Sequence, residues 1–306
     1  MSPLSALVLC TAVQARPVEF ACGDACPEST LSWHTEELQT WLAPGLRLTY
    51  AQKLDGGGTS FGLDVVRFVL SEVGWRFERC FEFCAGPAFI GFALLALGVC
   101  ETLALADVNP LSVEMMQLTV QQNGLADRVT VHLSNGLRGI ADSELRRWDL
   151  VVGNPPHFAT AESSAHRTDA SDYVAIAVDS DWKLHRHFFA SVGPFLKPQA
   201  HVVLVENSAG STPKDLLPLL VPPLRVASIG QRARNLCGRA AVPFWYVHAV
   251  NYPRWWRAQL DRPSCEFRWG PFGRGLDSEP PTCAGRALGA RLRMFNMSCP
   301  HALARR

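Results

Sequence analysis

The chain has 306 residues, 48% of them hydrophobic and 19% charged, with a formal net charge of +1; this is enough for one large domain with extensions. No run of about eighteen uncharged apolar residues occurs, which excludes a membrane-spanning helix read from hydropathy. The near-neutral total hides an asymmetry: residues 1–230 carry 16 Lys/Arg against 24 Asp/Glu, whereas residues 231–306 carry 13 Arg and no Lys against 4 acids. Such a tail could grip an acidic partner or nucleic acid, or simply be a solvated surface.

Residues 1–50 alternate short apolar runs with Pro, Gly and Cys. Leu4 to Val13 is apolar and Val13-Gln14-Ala15 has the form of a cleavage site, but no positive stretch precedes it; a cytoplasmic location is expected. Glu36 to Leu42 has helical spacing, stopped by Pro44-Gly45. Of the ten cysteines, Cys22 and Cys26 form a close pair. No second pair completes a zinc site and His34 is a poor fourth ligand, so no metal is assigned and free thiols are expected.

Asp55-Gly56-Gly57-Gly58-Thr59-Ser60 permits close backbone approach, as a ligand-adjacent loop or a flexible linker. Thr59 or Ser60 can cap a helix beginning near Gly62 and ending at Val73. Next, Arg79 to Phe83 reads as a strand that turns at Gly86 into a helix containing Gly91. Gly86-x-Ala88-x-x-Gly91 fits the nucleotide-binding fingerprint with Ala at its second position. The strand Thr102 to Asp107 ends on an acid sixteen residues after Gly91, near the spacing used to hold a ribose diol. Pro110 favours Asn109 as the cap of the helix that follows.

That helix, Leu111 to Asn123, closes at Gly124; Val129 to Leu133 is a strand, followed by Ser134-Asn135-Gly136 and a polar helical stretch near Ser143. Asp149 to Val152 reads as a buried strand that stops at Gly153-Asn154-Pro155-Pro156-His157-Phe158. Two prolines cannot continue a ladder or a helix, and Asn154 before a proline is held extended. The motif therefore forms a rigid rim whose amide side chain and proline carbonyl can accept hydrogen bonds. Strands alternating with helices imply a parallel sheet, and the Gly, Asp and Asn features all fall at carboxyl ends of strands, where such sheets bind ligands.

Residues 159–178 are polar (Ser163, Ser164, His166, Arg167, Asp169, Asp172, Tyr173), suited to a lid or acceptor-recognition loop or to a plain solvated one. Trp182 to Val192 is a helix and His201 to Glu206 a strand. Leu224 to Ile229 and Phe244 to Val250, joined through the Arg-rich loop Gln231 to Arg239, should be a hairpin that makes the last strand antiparallel. The expected organisation is an extension over 1–55, a domain over 56–252 and an irregular arginine-rich tail over 253–306.

Taken together and in order, these motifs resemble the class I S-adenosylmethionine-dependent methyltransferases that carry an Asn-Pro-Pro-aromatic motif, over about Gly56 to Val250. The resemblance implies a Rossmann-like, doubly wound α/β fold with a mostly parallel seven-stranded sheet, and S-adenosylmethionine as cofactor. It assigns Glu82, Cys84, Gly86, Ala88, Gly91, Asp107, Asn135 and Asn154 to the cofactor, and Asn154, Pro155 and His157 to catalysis. Thr59, Ser60, Pro156, His157 and Phe158 are expected to face the acceptor. Cys84 replaces the first glycine of the family's loop, and His157 stands where Tyr or Phe usually stacks on the acceptor. The implied acceptor is a nitrogen in a protein amide, a nucleobase amine or a small molecule.

Two other classes fit parts of the pattern. A NAD-dependent oxidoreductase would use Gly86, Ala88, Gly91 and Asp107 but gives Asn154-Pro155-Pro156-His157 no role. A non-catalytic S-adenosylmethionine-binding subunit would tolerate the changes at Cys84 and His157.

Overall fold

The computed structural model describes residues 38–43, 45–160, 177–232 and 244–252. The expectations for Cys22, Cys26 and His34, for the named residues of the 159–178 loop, for most of the Arg-rich loop and for the basic tail lie outside the described residues.

Seven strands form one sheet: β3 (Phe77–Phe83), β4 (Cys100–Asp107), β5 (Val129–Leu133), β6 (Trp148–Gly153), β7 (Leu196–Asn207), β8 (Leu224–Arg232) and β9 (Phe244–Asn251). Their order is β5-β4-β3-β6-β7-β9-β8. The pairs from β5 to β7 are parallel, and β9 runs antiparallel to both neighbours. The central strands read as nearly unbroken apolar runs because both faces are covered. Cys80, Leu103, Leu105, Leu150, Val152, Val203 and Val205 pack with α1 (Gly58–Phe68) and α2 (Phe89–Ala96) in one core. The alternate residues Phe81, Phe83, Ala104, Ala106, Val151, Val202 and Leu204 pack with Phe188 and Phe189 of α4 (Lys183–Ser191) in the other. This is a three-layer doubly wound fold, as expected.

Strand order fixes where a ligand can sit. From β3 the chain moves outward to β4 and β5, then returns to β6 on the other side of β3. The connections at the carboxyl ends of β3 and β6 therefore diverge and leave a crevice.

Four expectations need correction. The helix expected over 36–42 is not found from residue 38 on: Leu38–Ala43 is strand β1, paired antiparallel with β2 (Leu46–Ala51). Alternating apolar residues in β2 supply the partner, and Gly45 at φ 73° makes the turn that looked like a helix stop. The outer edge of β2 is tied to α3 (Pro110–Gln122) and its cap. Arg47 donates its N–H to Asn123 Oδ1 at 3.0 Å, Asn123 Nδ2 donates back to the Arg47 carbonyl at 2.6 Å, and Thr49 N–H reaches Thr119 Oγ1 at 3.1 Å.

Helix α1 begins at Gly58, and its end is capped from Asp55: Asp55 Oδ1 accepts the N–H groups of Gly57 at 3.0 Å and Thr59 at 3.2 Å. The expected cap at Thr59 or Ser60 is thus displaced by an acid that satisfies the same orphan donors and suits the helix dipole. Between β5 and β6 there is only a single 3-10 turn, Asp142–Glu144, rather than a helix. Its buried Glu144 accepts from Trp148 Nε1 at 2.9 Å and pairs with Arg79; burial raises its carboxyl, but His132, Arg79 and Trp148 together outweigh this and hold it well below the usual range.

Finally, Cys80 and Cys100 are joined in a disulfide, with Cα atoms 5.9 Å apart on the neighbouring strands β3 and β4, against the expectation of free thiols throughout. Among the described residues Cys84 is the free cysteine.

Candidate active site

The loop after β3 turns on three residues in the left-handed region: Cys84 at φ 52°, Gly86 at φ 52° and Ala88 at φ 65°. Only one of the three is glycine. Each non-glycine residue there costs about 1–2 kcal/mol of backbone strain, which surrounding contacts must offset. Those contacts are specific. Gly86 donates its N–H to Asp107 Oδ2 at 2.8 Å, Ala85 N–H pairs with the Ala106 carbonyl at 3.0 Å, and Gly91 N–H reaches Glu82 Oε2 at 2.6 Å.

This geometry reassigns part of the fingerprint. Cys84, Gly86 and Ala88 make the turn, whereas Gly91 lies within α2 behind it, where an added Cβ would sit 2.6 Å from Glu82 Oε2 and 3.1 Å from Leu103. Gly91 is a close-packing glycine, and Ala88 is fully buried at the helix entrance. Glu82 anchors the loop with its inward carboxylate, which burial pushes up to about 8 against the Gly91 and Ile90 amides.

Asp107 ends β4 beside this loop, with Oδ1 accepting the Asn109 N–H at 2.9 Å. Burial raises its carboxyl, opposed by the amides of Asn109, Gly86 and Val108. Asn135 follows β5 on the same rim and is exposed.

Strand β6 delivers Asn154-Pro155-Pro156-His157 opposite. Gly153 is required at the strand end because a Cβ would lie 2.8 Å from the Phe83 carbonyl. Asn154 Oδ1 is buried, with no hydrogen-bond partner among the described residues. A buried acceptor left without a donor costs about 1–3 kcal/mol, so an unpaired oxygen here marks a place where a donor belongs. Phe158 turns away from the site: it is 8% exposed, bridges to Val178 and exchanges hydrogen bonds with Ala177 and Asp179.

Those last bonds bring up a cluster that the motifs did not reveal. His185 is fully buried, with Nδ1 2.7 Å from Asp179 Oδ2 and Nε2 3.0 Å from Glu206 Oε1. Glu206, at the end of β7, places Oε2 3.3 Å from His157 Nδ1 and accepts from Ser211 Oγ at 3.2 Å. Desolvation opposes the His185 cation, but the two carboxylates outweigh it and push its pKa up to about 9. Glu206 is held low by the His185 and His157 side chains despite its burial. An acid ending an otherwise apolar strand, as Glu82 and Asp107 do, was the signal that could have found Glu206.

A cavity of about 600 Å³ joins these parts, lined among others by Glu82, Cys84, Gly86, Asp107, Asn135, Asn154, Pro155, Pro156, His157, Asp179 and Lys183. Thr59, Ala88, Gly91 and Phe158 are not in that lining: Thr59 is bonded to Asp55, and the others pack behind the wall. Ser60 follows Thr59 in the first turn of α1. The cavity's walls suit an S-adenosyl ligand on their own terms, with the Asp107 carboxyl beside the turning loop and the unpaired Asn154 oxygen both in the lining.

Residues 63–172 match the family described as "Methyltransferase small domain". No curated protein matches the sequence. Among solved structures, the hMettl16 catalytic domain, determined with the MAT2A 3'UTR hairpin 1, is similar at 16% identity and TM-score 0.50, over 69% of this chain and 78% of that one. T. thermophilus RsmC, a 16S rRNA methyltransferase determined with AdoMet and guanosine, has 16% identity and TM-score 0.47, over 69% of this chain and 49% of that one. P. horikoshii TYW2, determined with MeSAdo, has 9% identity and TM-score 0.47, over 70% of both chains.

Proposed function

We propose that this S-adenosylmethionine-dependent methyltransferase transfers its methyl group to a nitrogen acceptor held by Asn154 and Pro155. The enzyme class and the cofactor rest on the family match over residues 63–172 together with the sheet order. The nitrogen acceptor rests on one observation: the Asn154 side-chain oxygen is buried without a partner at the carboxyl end of β6, in the wall of the cavity.

When bound, the cofactor supplies an electrophilic methyl carbon on a sulfonium sulfur. Asp107 and the Cys84–Ala88 turn would hold its ribose and amino-acid parts, and Asn135 its base. The amine or amide acceptor has a delocalised lone pair. Donating its two N–H groups to Asn154 Oδ1 and the Pro155 carbonyl would favour a pyramidal nitrogen and expose that pair. The rigid Pro-Pro backbone keeps both acceptors fixed, so the protein supplies mainly orientation. His157 stands beside them in the cavity wall, able to stack on the acceptor or to receive a proton.

The acceptor itself is a protein amide, an exocyclic nucleobase amine or a small molecule, with the arginine-rich tail as a candidate grip for an acidic partner. Calorimetric titration with S-adenosylmethionine, its demethylated product and NAD tests the cofactor. The first two should bind and NAD should not. A labelled-methyl screen over RNA, protein and small-molecule pools then tests Asn154→Ala, which should keep cofactor affinity and lose transfer. Full transfer by that variant would overturn the assignment of Asn154.

A further inference from the structure

We propose that His157 takes the proton released by the acceptor nitrogen, and that Glu206, His185 and Asp179 are positioning residues that fix the ring for that task. The proposal rests on the methyl-transfer reading above and narrows it to acceptors that carry an N–H.

Three separate segments converge to make the arrangement. His157 comes from the turn after β6, Asp179 and His185 from the segment that leads into α4 and its first turn, and Glu206 with Ser211 from the end of β7 and the turn after it. Asp179 is itself locked, accepting the backbone N–H groups of Leu184 at 2.8 Å and His185 at 3.0 Å besides the imidazole. Its segment carries local strain, with Asp181 and Trp182 both at φ 56° beside the cavity. Stability alone does not call for this design, since apolar residues of similar volume are often at least as stabilising as a buried ion network.

The hydrogen bonds fix the protons. Both ring nitrogens of His185 face carboxylates that can only accept, so both must carry hydrogen and the ring is cationic. That cation keeps Glu206 ionised. An ionised Glu206 Oε2, which also accepts from Ser211, can only accept, so the Nδ1 that faces it at 3.3 Å carries the hydrogen of the neutral ring and Nε2 keeps its lone pair.

The charges then favour the step. Asp179, His185 and Glu206 sum to one negative charge beside a neutral His157. When the acceptor nitrogen has formed its bond to carbon it carries an added positive charge. Its N–H bond breaks with the electron pair staying on nitrogen, the proton moves to His157 Nε2, and the wall becomes neutral overall. The proton leaves later to solvent. Among the other titratable groups of the cavity wall, the Cys84 thiol is pushed up by burial and by Asp107, Asp179, Glu206 and Glu82, Lys183 pairs with Asp181 at 3.8 Å, and Glu82 and Asp107, raised by burial, are engaged by the Gly91, Gly86 and Asn109 amides. A ring nitrogen without hydrogen has no proton to give and gains nothing from this device.

The test uses the full chain labelled with 15N-histidine, followed by long-range 1H–15N correlation between about pH 5 and about pH 9, where imidazole charge states are resolved. His157→Gln assigns the His157 signals. In the unmutated protein, neutral His157 should be the Nδ1–H form and His185 should hold both protons. In Glu206→Gln, the single His157 tautomer should be lost. An Nε2–H tautomer for His157 in the unmutated protein overturns the proposal, and that spectrum decides even if the Glu206 variant does not fold. An unchanged single tautomer of His157 in a folded Glu206→Gln protein overturns it too. Calorimetry with S-adenosylmethionine on the same samples separates the two failures: absent cofactor binding removes the methyl-transfer reading, whereas binding with the wrong tautomer removes only the proton role.

Discussion

Glu206 Oε1 lies 3.0 Å from His185 Nε2, and both side chains are fully buried. This makes stability depend on pH in a defined window. His185 has a folded pKa of about 9 against an ordinary 6.5. A raised cationic pKa gives stability that is fully present below about pH 6.5 and is lost as pH rises through about 9. Denaturant titrations at pH 6, 7.5 and 9 should show a decline on the order of 3 kcal/mol across that range. The decline should be much smaller in His185→Gln, which should also be less stable at neutral pH.

Asn154→Ala should separate chemistry from stability. Since Asn154 Oδ1 is buried and unpaired, removing it abolishes an unsatisfied acceptor. The melting temperature should hold or rise slightly, cofactor affinity should stay within about threefold, and transfer should fall by about a hundredfold or more. A large loss of stability would mean that the amide has a structural partner after all.

Cys84→Gly tests the strain in the loop. At φ 52° a glycine is unstrained where cysteine is not, so about 1 kcal/mol of strain should be relieved, less the packing of the half-buried side chain. Thermal denaturation should show a small gain or no change, and calorimetry should show cofactor affinity equal or higher. A clear drop in affinity would show that the sulfur itself contacts the ligand.

Gly210→Ala should disturb His157 from behind. A Cβ there would collide with the His157 carbonyl and would lie 2.7 Å from the Phe158 ring. Something must move, so transfer should fall by about tenfold or more for a displacement of an ångström or less. Cofactor affinity, read by calorimetry, should change little because Asp107 and the β3 loop are on the other side of the crevice.

The sheet was legible in the sequence because its strands are apolar runs ended by Gly, Asp or Asn, and the helix from Pro110 to Gln122 because Asn109, Pro110 and Gly124 punctuate it. Residues 38–43 were not, since their spacing suits a helix and only pairing with β2 decides otherwise. The turning triple Cys84, Gly86 and Ala88 was half hidden, because two of its left-handed positions lack the glycine that would announce them. Asp179, His185 and Glu206 share no local pattern. They are separated along the chain and meet only when β7 lies beside β6 with α4 packed over it.

At the edge of β2, Asn123 behaves as one residue of a third strand, offering the Arg47 backbone an acceptor and a donor in the order that a neighbouring chain would. With Thr119 bonding Thr49 further along, the hairpin is closed to strand recruitment on that side, and self-association through it is opposed by α3 and its cap. Asn123→Ala should therefore show its effect less in activity than in solubility on storage.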